Sequence, residues 1–257
     1  MKSDKKKLNA RDISWLSFNA RVLQEAGDST VPLRERIRFL GIFSNNLDEF
    51  FRVRVATLKR MLQLGDKTNM HLEEDPQTII DEIQMIVLNQ QGEFNRIWED
   101  VLKQLNAQNI FLVTEKELSP EQQEFVRKYY DEEVSPNVIP LMIESIPELP
   151  NLRDKSIYLA VVMWKKESAL KRKYALIEVP RELRRFLLLP SKAGEHNIML
   201  LEDVIRFNLP GIFSYFGYDQ YNAHIFKVTR DAEFDIDNDI STSLIQKIEK
   251  GIKNRKK

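Results

Sequence analysis

At 257 residues the chain is long enough for one large or two ordinary domains, and two are expected. An apolar share of 42% beside 30% charge excludes wholesale disorder, the apolar run Ile157–Trp164 is far too short for a membrane span, and zero cysteines exclude disulfides, thiolate metal sites and cysteine nucleophiles. Lys plus Arg equals Asp plus Glu at 39 each, so no global field selects nucleic acid or membrane.

Met1–Lys7 is basic but precedes no apolar stretch of signal-peptide length, which reads as a cytoplasmic protein with room for peripheral membrane association. Residues 12–26 place Ile13, Leu16, Phe18, Val22 and Leu23 near a 3.6-residue period and predict a helix that stops at Gly27. Pro32 suits a first helical turn, and Leu33, Ile37, Leu40, Leu47, Phe50, Phe51, Val55, Leu58 and Leu62 carry the period to about Leu64. That pattern fits one helix, or two broken near Ser44–Asn45. Asp75–Pro76 supplies a cap and a first-position proline for a long helix through Ile79, Ile83, Val87, Phe94, Ile97, Val101 and Leu105 to Ala107. Apolar stripes on successive helices need partners, so residues 1–107 are expected to form an antiparallel helical bundle.

The texture changes at Asn109. Ile110–Val113 reads as a strand, and Ser119-Pro120-Glu121-Gln122 holds a cap, a first-turn proline and a capping-box glutamine for a helix to about Glu133. Pro136, Pro140, Pro147 and Pro150 then break any helix. Strands over 156–166 and 172–179, joined by Glu167–Lys171, predict an antiparallel hairpin, followed by a strand at 197–200, a helix at 201–208 and a strand at 223–230. A last helical pattern runs through Ile240, Leu244, Ile248 and Ile252 and ends at Lys257 without a stop signal. The fold class expected is therefore a helical bundle followed, over 108–257, by an α+β domain with an antiparallel sheet.

Candidate chemistry is sparse. Neither Gly-rich phosphate-loop pattern occurs, and His71, His196 and His224 fall in no ligand or triad spacing, which suits surface or structural roles. Asp235-x-Asp237-x-Asp239 imitates the start of a calcium loop, but Ile240 stands where Gly is needed and Gln246 where a bidentate Glu is needed. No metal site is expected. Arg34, Arg36, Arg38, Arg52, Arg54, Lys59 and Arg60 make the second helical region basic, as a phosphate-facing surface or a solvated face with intrahelical pairs. Residues 165–192 hold nine bases (Lys165, Lys166, Lys171, Arg172, Lys173, Arg181, Arg184, Arg185, Lys192) against Glu167, Glu178 and Glu182. They form either a solvated hairpin tip or a polyanion-facing patch. Trp15, Phe18, Phe39, Phe43, Phe50 and Phe51 suit a core better than a base-stacking platform. Asn45 and Asn46 sit mid-pattern, where Asn marks a kink, a cap or a contact made by the amide. Asn46 can both donate and accept, which suits the edge of adenine.

The runs Ile13–Ala26, Arg36–Phe50 and Thr229–Asp235 closely resemble the polyphosphate kinases of the histidine-phosphorylating type. The resemblance implies reversible transfer of the terminal phosphoryl group of ATP to polyphosphate through a phosphohistidine, with magnesium as cofactor. It implies an adenine-covering helical N-terminal domain and a dimerising "head" domain, and it places the ATP contact of the Ser-Asn-Asn-Leu-Asp-Glu motif on Asn46. None of the three histidines matches the family's nucleophile, so no catalytic residue or metal ligand is expected here. The chain is then an N-terminal part of such an enzyme, inactive alone, with its own C-terminal catalytic domains and a second copy as partners. The alternative is a stand-alone helical module that binds polyanions or regulates.

Overall fold

A computed structural model describes residues 11–64, 75–145 and 152–230. Within these, the residues up to Gln104 form one compact unit and Leu105–Thr229 a second. The last helical pattern, His71 and the Asp235–Asp239 run lie outside the described residues.

The first unit is helical. Helix α1 spans Arg11–Gly27 and α2 spans Leu33–Phe50; a π-helical turn at Phe51–Val55 leads directly into α3, Ala56–Leu64. The chain does not break at Ser44–Asn45. The hydrogen-bonding pattern instead widens after Phe50, where the Thr57 hydroxyl donates to the Val53 carbonyl at 2.7 Å and competes with the helical ladder. Helix α4 runs from Pro76 to Ala107, with the Asp75 carboxylate accepting from the Thr78 amide at its start.

Ile13, Leu16, Phe50, Val55, Leu58, Ile79 and Ile83 pack as one buried cluster. Farther along, Leu23, Ala26, Leu40, Phe43, Ile97 and Val101 are also buried. Among them sits Arg36, 1% exposed. Its Nε donates to the Ala26 carbonyl at 2.7 Å and its Nη2 to Asp100 at 2.9 Å, tying the end of α1 to α2 and α4. The Asp100 carboxyl is held below the usual carboxylate range, first by that Arg36 hydrogen bond.

A piece ending at Ala107 is expected to keep a cooperative helical melting transition when produced alone, because the described core residues of this unit all lie between Ile13 and Val101. Circular dichroism of that piece is the measurement, and an unfolded spectrum rules out its independence.

The second unit is α+β, with two sheets. Strands β1 (Ile110–Leu112), β5 (Phe186–Leu189) and β6 (His196–Leu200) form a small sheet in the order β1-β6-β5. The β1–β6 pair in it is parallel, so the sheet is mixed. Strands β2 (Pro140–Met142), β3 (Ile157–Lys165), β4 (Ser168–Glu178) and β7 (Gln220–Lys227) form an antiparallel sheet ordered β2-β4-β3-β7. Helix α5 (Pro120–Tyr129) starts in the capping box of Ser119 and Gln122, and α6 (Leu201–Phe207) and α7 (Leu209–Ile212) precede β7. The core gathers Val126, Val134, Leu159, Val161, Met163, Ile177, Met199, Val204, Ile205 and Phe213.

Several expectations need correction. The β3–β4 turn is the pair Lys166–Glu167 rather than Glu167–Lys171, because Lys165 already pairs with Ser168. Helix α5 is α-helical only to Tyr129 and passes into a π-helical turn at Tyr130–Val134. The last strand lies at Gln220–Lys227 because β3 registers against it over Ile157–Trp164. Strands β2 and β5 are additional; β2 occupies a sheet edge, which tolerates its leading proline.

Asp203, at the start of α6, is buried beside Arg206 and Glu115, and burial raises its carboxyl pKa from an ordinary 3.8 to about 6, more than Arg206 lowers it. Between about pH 6 and 4 the folded unit therefore holds a proton that the unfolded chain does not, and this contribution to stability grows as pH falls. Asp203→Asn is expected to remove that increment, measured as the difference between the two unfolding free energies across the pH window. A difference that does not change with pH overturns it.

A polar groove beside Asn46

Asn19 lies on the apolar stripe of α1, one turn from both Leu16 and Leu23, and is fully buried. Its Nδ2 donates to the Phe43 carbonyl of α2 at 3.3 Å. Asn46, a turn beyond Phe43 and half-buried, donates its own Nδ2 to the Asn19 Oδ1 at 3.0 Å. The mid-helix amide thus makes a tertiary contact, not a kink or a cap. Its neighbour Asn45 is exposed.

Asn46 lines a groove of ≈ 580 Å³ between the start of α1 and the α2–π-turn segment. Arg11, Ser14 and Trp15 contribute from α1, and Glu49, Phe50 and Arg54 from the facing segment. Trp15 and Phe50 stack with ring centroids 4.7 Å apart and planes 11° from parallel. At one side Arg54 clamps Asp12 with two hydrogen bonds, Nε to Oδ1 at 2.7 Å and Nη2 to Oδ2 at 3.2 Å. That bond raises the Arg54 pKa further, so the guanidinium stays charged. The wall is mixed: an aromatic stack, the Asp12-held guanidinium of Arg54, a second arginine, the Glu49 carboxylate and an amide.

The other sequence candidates separate. Of the basic second region, Arg38 and Arg52 make intrahelical pairs with Glu35 and Glu49, while Arg36 and Arg54 reach other parts of the bundle. Phe43 and Phe50 are core, whereas Phe18 and Phe51 are exposed. The basic stretch 165–192 is not one patch. Lys165, Lys166, Lys171, Arg172 and Lys173 sit toward the hairpin turn, and Arg181, Arg184 and Arg185 follow the opposite end of the 11-residue β4, a strand roughly 35 Å long. Arg172 covers the Trp164 ring and Arg185 holds the buried Glu202. His196 and His224 are exposed on different sheets.

Sequence reasoning missed Asn19 and the Asp12–Arg54 clamp. A polar residue in phase with Leu16 and Leu23 was a usable signal for Asn19. The 42-residue separation of Asp12 and Arg54 offered none.

Both parts of the chain match models of one enzyme family. Residues 8–113 match the polyphosphate kinase N-terminal domain, and residues 121–257 match the polyphosphate kinase middle domain. The chain belongs to the polyphosphate kinase family. It is 41% identical over 255 residues to a polyphosphate kinase of Vibrio vulnificus strain YJ016, covering 95% of this chain and 35% of the relative. The polyphosphate kinase of Escherichia coli K12 is 38% identical over 252 residues, with 95% and 36% covered. The crystal structure of polyphosphate kinase from Porphyromonas gingivalis superposes with a TM-score of 0.70 at 33% identity, over 86% of this chain and 33% of that one. The chain therefore spans about a third of the length of these relatives.

Proposed function

We propose that this chain supplies the N-terminal part of a polyphosphate kinase, which transfers the terminal phosphoryl group of ATP to polyphosphate and back through a phosphohistidine. Asn46 and the groove beside it form one wall of the nucleotide site. The observation that carries this reading is the placement of Asn46, the residue the family resemblance assigns to ATP, at a groove that also offers an aromatic stack and the guanidinium of Arg54, held by Asp12. Such a wall suits a base and its phosphates, because the ring gives contact area and the cations give charge complementarity.

The reacting groups would lie in the part of the enzyme that the relatives possess beyond this match. Among the described residues no group of three or more His, Asp or Glu side chains could hold a metal ion; the ligands of the magnesium accompanying ATP belong, in this proposal, to the part of the relatives beyond this match. Among the described residues no helix is long and apolar enough to cross a membrane. A cytoplasmic enzyme, free or peripherally attached to a membrane and working as a homo-oligomer through its head domain, completes the proposal.

The test is Asn46→Ala in the complete enzyme. One lost hydrogen bond to a neutral group is worth about 0.5–1.5 kcal/mol, so the ATP requirement is expected to rise roughly two- to tenfold with turnover little changed. An unchanged ATP requirement together with a lower melting temperature would make Asn46 purely structural.

A further inference from the structure

A side-chain amide has a donating edge and an accepting edge, and its outward polarity is settled by whatever it meets at its inner end. The Phe43 carbonyl can only accept. It therefore takes the Nδ2 of Asn19, 3.3 Å away, and turns the Asn19 Oδ1 toward Asn46. That oxygen in turn requires a donor, which is the Asn46 Nδ2 at 3.0 Å. Asn19 is fully buried, so bulk water does not compete at the inner contact. What is left on Asn46 is its Oδ1, which has no protein donor among the described residues, and the second Nδ2 hydrogen, in an order that cannot reverse while Asn19 holds the amide, on a residue that lines the groove. A backbone carbonyl thus fixes, through two amides, the polarity of the groove wall.

We infer that Asn19 is a positioning residue for base recognition: it fixes Asn46 so that an acceptor oxygen faces the ligand. The groove then selects a purine whose facing edge carries an amino donor, as the 6-position of adenine does, over one with a carbonyl there, as in hypoxanthine. This rests on the reading of the groove as a nucleotide wall. The discrimination comes from leaving the Asn46 oxygen opposite another oxygen, an unsatisfied pair that costs more than a missing contact.

The experiment compares kcat/KM for ATP and for inosine triphosphate in the complete enzyme, beside the melting temperature of each variant. The two bases differ in the 6-substituent, an amino donor in adenine and a carbonyl acceptor in hypoxanthine, and with it in N1, which accepts in adenine and donates in hypoxanthine, so the donor–acceptor order of that edge is reversed. The unsubstituted enzyme is expected to prefer ATP by about tenfold or more, the order of cost of leaving one neutral polar group unsatisfied. Asn19→Leu retains the volume but no polarity. It is expected to bring the ratio close to one, through KM rather than kcat. Asn19→Ser, whose hydroxyl meets either polarity, is expected to lose the preference as well and serves if the Leu variant does not fold.

A merely structural Asn19 would lower the melting temperature and weaken both nucleotides alike, leaving the ratio intact; that result overturns the inference. So does an unsubstituted enzyme with no preference. If Asn46→Ala weakens ATP while Asn19→Leu keeps the ratio, the inference falls and the nucleotide wall stands. If Asn46→Ala changes neither ATP affinity nor ratio, both fall.

Discussion

Asp100→Ala is expected to lower the melting temperature of the helical unit by about 10–20 °C, although the Asp100 side chain is half-exposed. The cost arises at the other end of the pair. Arg36 is buried with its side chain 2% exposed, and its Nη1 already has no partner among the described residues. Removing Asp100 leaves a buried guanidinium with one remaining acceptor, the Ala26 carbonyl. Stranding a buried charge costs several kcal/mol in full burial, and with solvent reaching the Asp100 side the expected loss is about 2–3 kcal/mol. An ordinary surface substitution changes stability by about 0.5 kcal/mol or less, so the two cases are readily separated by thermal or urea unfolding. Arg36→Met combined with Asp100→Ala removes both charges while filling the space. It is expected to be more stable than Asp100→Ala alone, and a double variant that is less stable contradicts this account.

The second large effect is expected at the mouth of the groove. Arg54→Ala removes the more exposed partner of Asp12, whose side chain is only 9% exposed. The buried carboxylate is left without its bidentate partner, at a cost of about 2 kcal/mol. Asp12→Ala strands Arg54 instead, which can turn into water, and should cost less. The order, with Arg54→Ala more destabilising than Asp12→Ala, is the checkable result, and the reverse order refutes it. In the complete enzyme Arg54→Ala is also expected to weaken ATP, since its guanidinium lines the groove.

The long, periodic elements were legible in the sequence because each carries its own boundary chemistry. Helix α4 runs from Pro76 to Ala107, as its cap, its first-turn proline and its apolar spacing imply. The capping box of Ser119 and Gln122 forms as its residue types imply. The family, too, was legible, because the motifs around Trp15 and Asn46 are long runs read directly from residue identity.

Other features depended on contacts between distant residues. The wide turn at Phe51–Val55 was not visible, since nothing local distinguishes Arg52-Val53-Arg54 from ordinary helix; Thr57 and the packing of Phe50 and Val55 on α1 and α4 decide it. Strand β5 is four residues long and owes its state to pairing with β6. The basic stretch 165–192 looked continuous because sequence compresses a distance that an extended strand opens. The groove shows the same limit. Asn46 could be picked out by residue type, but the direction its amide faces is set by Asn19, 27 positions earlier, and by the Phe43 carbonyl. Local periodicity therefore determined the helices and their caps, whereas hydrogen-bond polarity and ion pairing across the bundle required the folded chain, since those energies exist only once distant residues meet.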